Sequence, residues 1–225
     1  PLLTIDLDVN TRLIAAKKLK NEKWARGGVF DGMLSMAGKA PIPVIGSTVH
    51  VQPGIVYSMR YEKLDITKIH TLLIVENGEL ITNWDKVIPH LPKEYQNALI
   101  LFKGYGENQN HLKIMLNELN PSVNVGIFFD HDAAGIDMAL KLSQYCYIDI
   151  VVPIFLSDSI LMKSKAEEFE KQFPQLFRRI NCQKTPPQIK SILEDMQKRK
   201  LAITQEHLIT HSTPLGLIKG VKYND

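Results

Sequence analysis

The sequence predicts an α/β protein with a central, mostly parallel four-stranded sheet flanked by helices. Between residues 68 and 156, apolar runs of four or five residues alternate with longer amphipathic segments. Apolar runs bounded by polar residues are typical of strands buried on both faces, and regular alternation with helices is typical of right-handed parallel crossovers. Two of these runs end in a carboxylate, at the sheet edge where parallel α/β proteins bind ligands.

Residues 1–67 are predicted to form an N-terminal helix and a loop-rich connector. Residues 4–24 mix apolar and basic side chains in a helical pattern, and frequent Gly and Pro over residues 27–54 leave room only for short strands. These short strands are predicted at 43–45 and 48–52, and segments 55–59 and 64–69 lead into the sheet.

Residues 68–156 are predicted to form the main domain. Its helices have local end signals, such as Pro121 just past one end and Gly135 early in another. The predicted strands are 71–75, 98–102, 124–129 and 149–155, and the predicted helices are 79–89, 106–119 and 133–144.

Residues 157–225 are predicted to form a helical C-terminal extension. Two polar amphipathic segments, 161–173 and 187–200, are separated by a Thr-Pro-Pro turn, and residues 201–210 are predicted to be a short helix or turn.

Composition narrows the class of protein. The chain has 225 residues, 44% of them hydrophobic, as is ordinary for a soluble globular protein. Its apolar runs reach about six residues, far short of the ~20 needed to cross a bilayer, so we expect a cytoplasmic protein without a membrane partner. Cys146 and Cys182 lack the spacing of a zinc site.

Charge is distributed unevenly along the chain. The net charge is +3, and residues 71–156 carry a net −5 between two flanks of +4 each. An acidic centre between basic flanks suits a metal-dependent enzyme that acts on a polyanion. Chance and solvated helix faces explain the same pattern equally well.

The most specific motif pairs Glu76 with Asp130 and Asp132. Glu76 follows one buried strand, and Asp130-His131-Asp132 follows another. Side chains at i and i+2 of an extended chain point the same way, and carboxylates that meet at one edge repel one another unless a divalent cation lies among them. The sequence therefore predicts a magnesium site, with His131 pointing away from it.

Helix capping offers a second interpretation of the same acids. Glu76 lies where it can cap helix 79–89, and Asp132 where it can cap the helix that begins at Ala133. Capping and metal binding are compatible for Asp132.

These motifs resemble the Toprim domain of topoisomerases, bacterial primases and related nucleases, which has a Rossmann-like fold. The resemblance covers roughly residues 68–156 and rests on the Glu after the first core strand and the later Asp-x-Asp. Val-Glu-Asn at 75–77, Lys-Gly-Tyr-Gly at 103–106 and Asp-x-Asp-x-x-Gly at 130–135 look like the Toprim nuclease subunit of Wadjet-type, SMC-linked plasmid-defence systems. That branch is similar to the topoisomerase VI A subunit, but often has Arg or Glu where this chain has Gly78-Glu79.

The resemblance implies a DNA endonuclease that uses Mg²⁺ or Mn²⁺. Asp130 and Asp132 would bind metal, and Glu76 would bind a second ion or act as a general acid/base. The Gln-Glu at 205–206 also resembles that branch, which makes Glu206 an additional candidate metal ligand. The implied partners are DNA and the subunits of an SMC-like/kleisin complex, and a homodimer is compatible with the resemblance.

Basic side chains supply candidate phosphate contacts. Lys103 follows the second predicted strand, and Arg178 and Arg179 lie among many Lys and Arg residues of the C-terminal extension. A solvated surface is the competing interpretation for each, because acidic residues are interspersed.

Other families that contain an Asp-x-Asp motif fit this sequence less well. An EF-hand loop that begins at Asp130 fails, because Ala134 and Lys141 occupy two of its ligand positions. A haloacid-dehalogenase-type phosphatase would normally carry its Asp-x-Asp after the first strand and need Thr or Val near position 134, where this chain has Ala, and it stays open as an alternative enzyme. A topoisomerase- or primase-type module and a non-catalytic Toprim domain that binds nucleic acid or a partner stay open, although no Tyr here has a supporting nucleophile motif.

Overall fold

A computed structural model describes residues 32–223. It contains nine strands in this part of the chain, seven of which form one sheet. The strands are β1 (Met33–Gly38), β2 (Ile42–Val44), β3 (Ser47–Val49), β4 (Tyr57–Arg60), β5 (Thr71–Val75), β6 (Leu99–Phe102), β7 (Asn124–Phe128), β8 (Ile148–Pro153) and β9 (Leu215–Val221). The sheet order is β4-β1-β6-β5-β7-β8-β9, and β2 pairs with β3 in a separate two-stranded sheet.

The four central strands are parallel. Strands β6, β5, β7 and β8 lie side by side, and Val75 at the end of β5 is in register with Phe102 and Phe128 at the ends of its two neighbours. Residues 72–75 are fully buried, as expected for a strand covered by helices on both faces. The predicted parallel four-stranded core is confirmed, and β5 has the predicted bounds.

The sheet is wider than the four strands predicted. Strands β4 and β1 extend one edge and β9 the other, all through antiparallel pairing. Strand β9 contains Gly216 and Gly220, which weaken a strand signal, and β1 lies in the region interpreted as loop. The C-terminal extension is therefore not purely helical. One sheet draws strands from all three predicted regions, and the division at 67/68 and 156/157 stays a prediction.

The described helices are α1 (Gly78–Thr82), α2 (Trp84–Val87), α3 (Glu107–Glu118), α4 (Ala133–Leu142), α5 (Asp158–Leu161), α6 (Ala166–Asn181), α7 (Pro187–Arg199) and α8 (Gln205–Thr210). Helices α3 and α4 lie where they were predicted. None of the helices described is long and apolar enough to cross a membrane.

Two helix predictions differ from the structure. The single helix predicted at 79–89 is broken at Asn83, whose backbone angles of −109° and 33° lie outside the helical region. The helix predicted to end at Phe173 continues through Pro174 to Asn181 as α6. Proline removes one helical hydrogen bond, and burial of Phe169 and Leu176 on the same helix offsets that cost. The helix predicted at 4–24 lies outside the described residues.

The C-terminal segment returns to the centre of the sheet. His131, just after β7, and Ile203 exchange two backbone hydrogen bonds of 2.8 and 3.2 Å as an antiparallel bridge. This pairing places the start of α8 against the carboxyl ends of β5 and β7.

Candidate functional site

Acidic side chains meet where the central strands end. Glu76 directly follows β5, and Asp130 and Asp132 follow the adjacent parallel strand β7. All three line one cavity of about 290 Å³. The other lining residues are Ala134, Lys165, Glu168, Gln172, Ala202 and Thr204. The three acids singled out in the sequence therefore line a common space, and we refer to it as the acid cavity.

Glu76 is held from two sides. Its Oε1 accepts a charged hydrogen bond from Lys103 Nζ at 3.1 Å, and its Oε2 accepts a long one of 3.4 Å from the Asp130 backbone N–H. The Lys103 side chain is 9% exposed and that of Glu76 is 23% exposed, so the ion pair is partly shielded from water. Lys103, a candidate phosphate contact, is thus the partner of Glu76 and lines a different cavity from the three acids.

Asp130 is the acid whose ionisation is most disfavoured. Burial raises the pKa of its carboxyl to about 7, although the backbone N–H of Gln205, which donates to Oδ1 at 2.9 Å, opposes the shift. Three neighbouring carboxylates add to the rise, those of Glu76, Asp132 and Glu206. Negative charge is thus crowded around Asp130 without full compensation.

Asp132 acts as a helix cap. Its Oδ1 accepts from the Gly135 N–H at 2.7 Å, so it is the N-cap of α4. Its Oδ2 accepts from the Gln172 side-chain amide at 2.8 Å, and the same amide accepts from the Ala134 N–H at 3.0 Å. Burial raises the pKa of Asp132 despite these hydrogen bonds. The capping interpretation is correct for Asp132, and the carboxylate still lines the cavity.

The cap of α1 is Asn77 rather than Glu76. The Asn77 side-chain oxygen accepts from the Glu79 N–H at 2.8 Å. This leaves the Glu76 carboxylate free of the capping role that the sequence had offered as an alternative.

Gln205 and Glu206 fold back onto the strand ends. The buried Gln205 amide donates to the Phe128 carbonyl and accepts from the Asn77 N–H at 3.1 Å, which ties β7 to the turn after β5. Glu206 Oε1 accepts from the Asn77 side-chain amide. Glu206 Oε2 is buried and has no hydrogen-bond partner in the described part of the chain. Glu206 does not line the acid cavity, although its charge acts on Asp130. A buried carboxylate oxygen without a hydrogen-bond partner is uncommon in folded proteins.

The donor set fits a divalent cation in its chemistry, but the side chains of residues 32–223 are not positioned around one. Carboxylate oxygens are the ligands that Mg²⁺ prefers, and four carboxylates surround Asp130 or the cavity beside it. The positions are not those of a bound ion, because no three His, Cys, Asp or Glu side chains of residues 32–223 are grouped closely enough to hold a metal. Several carboxylate oxygens are instead satisfied by protein donors such as Lys103 and Gln172.

Among the described residues, one basic side chain lines the acid cavity, that of the exposed Lys165 at its rim. Lys165 lines the cavity just before α6 begins, and its charge acts on Glu168 and on His207. Burial, together with the charges of Lys165 and Lys163, lowers the pKa of His207, so these side chains lie near one another. His207 Nδ1 is also 3.2 Å from Thr204 Oγ1.

The two candidate arginines lie away from the cavity. Arg179 is buried, and its guanidinium bonds to Asp137 and to the Tyr223 hydroxyl at 2.8 Å, so it fastens α6 to α4. Arg178 is 67% exposed and 3.9 Å from Asp137. Neither arginine lines the space that contains the three acids.

His131 is absent from the acid cavity, as its alternation with the two aspartates predicted. It lines a different cavity of about 330 Å³, together with Arg199 and residues at the end of β8. Burial, with a contribution from the Arg199 charge, lowers its pKa to about 4.

Sequence reasoning missed Gln172 and Asn77, and it gave Lys165 only as one of many basic residues that could contact DNA. Gln172 lies one helical turn from Glu168, so a shared face of α6 was readable, but nothing in the sequence indicated which element this face meets. Asn77 carried a capping signal, since it precedes α1 directly. Lys165 was one of many basic residues in its region.

Residues 31–217 match the family described as a domain of unknown function, DUF7281. Because the match spans most of the chain, the protein belongs to this family. The matched range extends from β1 into β9 and includes every acid of the site. No curated protein matches the chain.

Proposed function

We propose that this member of the DUF7281 family is a Mg²⁺- or Mn²⁺-dependent nuclease that cleaves DNA phosphodiester bonds. The observation that carries the proposal is the shared cavity of Glu76, Asp130 and Asp132 at the carboxyl ends of two adjacent parallel strands. This is the edge at which open α/β sheets bind ligands. The raised pKa of Asp130 supports it further, because a bound cation would offset the crowded negative charge.

Each residue has a distinct role in this proposal. Asp130 and Asp132 would hold a divalent ion, and the unpartnered oxygen of Glu206 would add a further ligand. Such an ion would stabilise negative charge on the phosphate oxygens during displacement. Glu76 would bind a second ion or donate a proton to the departing 3′ oxygen, and Lys103 orients its carboxylate.

A Toprim fold and a place in an SMC-like plasmid-defence complex are proposals that rest on the motif resemblance alone. The motifs are Glu76 after β5 and Asp130-x-Asp132-x-x-Gly135 after β7. In that setting the chain would be the effector subunit, with SMC-like and kleisin proteins as partners and DNA as substrate.

A non-catalytic domain that binds nucleic acid is the second candidate. It is favoured by the protein donors that already satisfy Glu76 and Asp132, and by the lack, within residues 32–223, of acids grouped closely enough for an ion. The two candidates differ in whether the protein turns over a phosphodiester.

Incubation with supercoiled plasmid and Mg²⁺ or Mn²⁺, with EDTA as control, distinguishes the nuclease from the non-catalytic binding domain. A nuclease produces nicked or linear DNA that depends on the metal, and Glu76→Gln removes this activity. Relaxed closed circles would instead indicate a topoisomerase. Unchanged plasmid that still shifts in a gel, both for the chain alone and with its partner complex, would overturn the nuclease proposal and favour the binding domain.

A further inference from the structure

We propose that Lys165, with Lys163 beside it, binds a phosphate of the nucleic-acid strand at the rim of the acid cavity. The inference rests on the proposed function, because it names the contact that would hold the substrate of the same site. The proposal places the substrate-binding surface at Lys165 instead of at Arg178 and Arg179.

The backbone around Lys165 is fixed at the rim. The Lys165 N–H donates to the Ala202 carbonyl at 2.9 Å, and Ser164 Oγ accepts from the Ala202 N–H at 2.9 Å. Ser164 Oγ also donates to the Lys200 carbonyl at 2.9 Å. The turn before α6 is therefore anchored to the segment that lines the cavity at Ala202 and Thr204. An anchored backbone reduces the conformational freedom that a surface lysine loses when it binds a ligand.

The ammonium group of Lys165 is available. Within residues 32–223, neither Lys163 nor Lys165 forms an ion pair, whereas Lys103 is engaged by Glu76. Glu168, a cavity-lining acid on which the Lys165 charge acts, is paired with Lys171 at 2.7 Å. An unpaired lysine that lines a cavity of acids is suited to an anion that spans the rim and the interior.

A phosphodiester strand has the chemistry that suits this arrangement. Its negative charges repeat along its length, so one phosphate can bind Lys165 at the rim while the neighbouring phosphate would contact a cation held by the carboxylates. A ligand with a single phosphate could reach Lys165 or that cation, but not both. The exposed Lys163, whose charge acts on His207 as that of Lys165 does, adds a second positive charge near Lys165.

The test is DNA binding measured without metal. A fluorescein-labelled single-stranded oligonucleotide and the matching duplex are titrated with the full chain in EDTA, and anisotropy is followed over a range of salt concentrations. The variants are Lys165→Gln, Lys165→Arg and Lys163→Gln/Lys165→Gln. Arg178→Gln is the matched control, because it removes one exposed charge from the same region without touching the cavity.

Lys165→Gln is expected to weaken binding several-fold and to reduce the salt slope by about 1, the loss expected for one phosphate contact. Lys165→Arg should retain binding, since arginine also contacts phosphate. The double variant should lose more, and Arg178→Gln should bind like the wild type. Equal losses in Lys165→Gln and Arg178→Gln, or no binding by the wild type at low salt, would overturn the proposal.

Failure of this inference is distinguishable from failure of the proposed function. If the wild type binds DNA through Lys165 but never cleaves it with metal, the rim site stands and the nuclease proposal fails. If the wild type cleaves with metal while Lys165→Gln binds and cleaves normally, the nuclease stands and the rim site fails.

Discussion

The side-chain amide of Gln172 connects α6 to the carboxylate of Asp132 across a distance of 2.8 Å. The same amide accepts from the Ala134 N–H at 3.0 Å, so it holds both the acid and the first turn of α4. Outer partners of this kind orient metal-ligating carboxylates. Gln172 is therefore a positioning residue for Asp132.

Gln172→Ala is expected to raise the Mg²⁺ concentration needed for half-maximal cleavage by about 10- to 100-fold, the range for outer-shell partners of metal ligands. The reason is that Asp132 loses the amide that fixes its orientation. A metal titration of plasmid nicking measures this. Gln175→Ala is the control, since Gln175 lies on the same helix and lines a different cavity. Similar metal dependence in the two variants would contradict the positioning role.

Asp132 combines a structural and a chemical task, and two substitutions separate them. Asp132→Ala should abolish cleavage and also cost about 1 kcal/mol of stability, because the cap of α4 is lost. Asp132→Ser should abolish cleavage but keep most of that stability, because serine is a good N-cap. Urea unfolding and plasmid nicking of both variants provide the comparison. Cleavage by Asp132→Ser would show that the carboxylate is not needed.

Gly135 lets α4 start beside Asp130. A Cβ at this position would overlap the Asp130 carbonyl oxygen, which belongs to the backbone and cannot move aside without shifting the acid. Gly135→Ala should cost about 1–3 kcal/mol, as overpacked sites do, and should lower activity. Gly78→Ala is the control, because nothing lies within 4 Å of the added Cβ, and it should be neutral or stabilise the protein by about 0.4–1 kcal/mol. Thermal unfolding of both variants measures the two changes in stability.

The raised pKa of Asp130 makes the metal-free protein sensitive to pH. Its carboxyl has a pKa of about 7 in the folded state and about 3.9 when unfolded. Between these values the unfolded chain releases a proton that the folded chain keeps, so the contribution of Asp130 to stability falls as pH rises from about 4 to about 7. Below this window the contribution of Asp130 to stability does not change with pH. Above it the full decrease in stability has occurred.

Asp130→Asn should remove this dependence. In EDTA, the unfolding free energy of the variant minus that of the wild type should increase from pH 5 to pH 7 and then level off. The buried His131, whose pKa is lowered to about 4, titrates in both proteins and largely cancels in the difference. A difference that stays flat from pH 5 to pH 8 would mean that Asp130 ionises normally.

The sequence was sufficient to predict those strands and helices whose local sequence pattern agrees with their burial in the fold. Strands β5 and β7 are continuous apolar runs that end in a carboxylate, so both the parallel core and the meeting of Glu76 with Asp130 followed from the pattern. Asp132 carried two compatible signals, a cap and a cavity acid, and the structure contains both.

Other features depend on contacts between distant segments. Strand β9 contains two glycines and is formed only because it pairs with β8. Helix α6 passes through Pro174 because its apolar face is buried against neighbouring elements. Gln172 and Lys165 become part of the site only when α6 packs on α4 and residues 202–204 pair beside it. Local propensity contains no information about such pairings.

Calorimetric titration of the protein with Mn²⁺ measures whether the acid cavity binds a divalent cation. The wild type at pH 7 should bind Mn²⁺ and release protons, since Asp130 is partly protonated without metal. Asp130→Asn should lose this binding and its proton release, while Glu79→Gln, which changes a neighbouring acid that does not line the cavity, should bind like the wild type. Absence of Mn²⁺ binding in the wild type, or equal binding in Asp130→Asn, would show that the acid cavity is not a cation site.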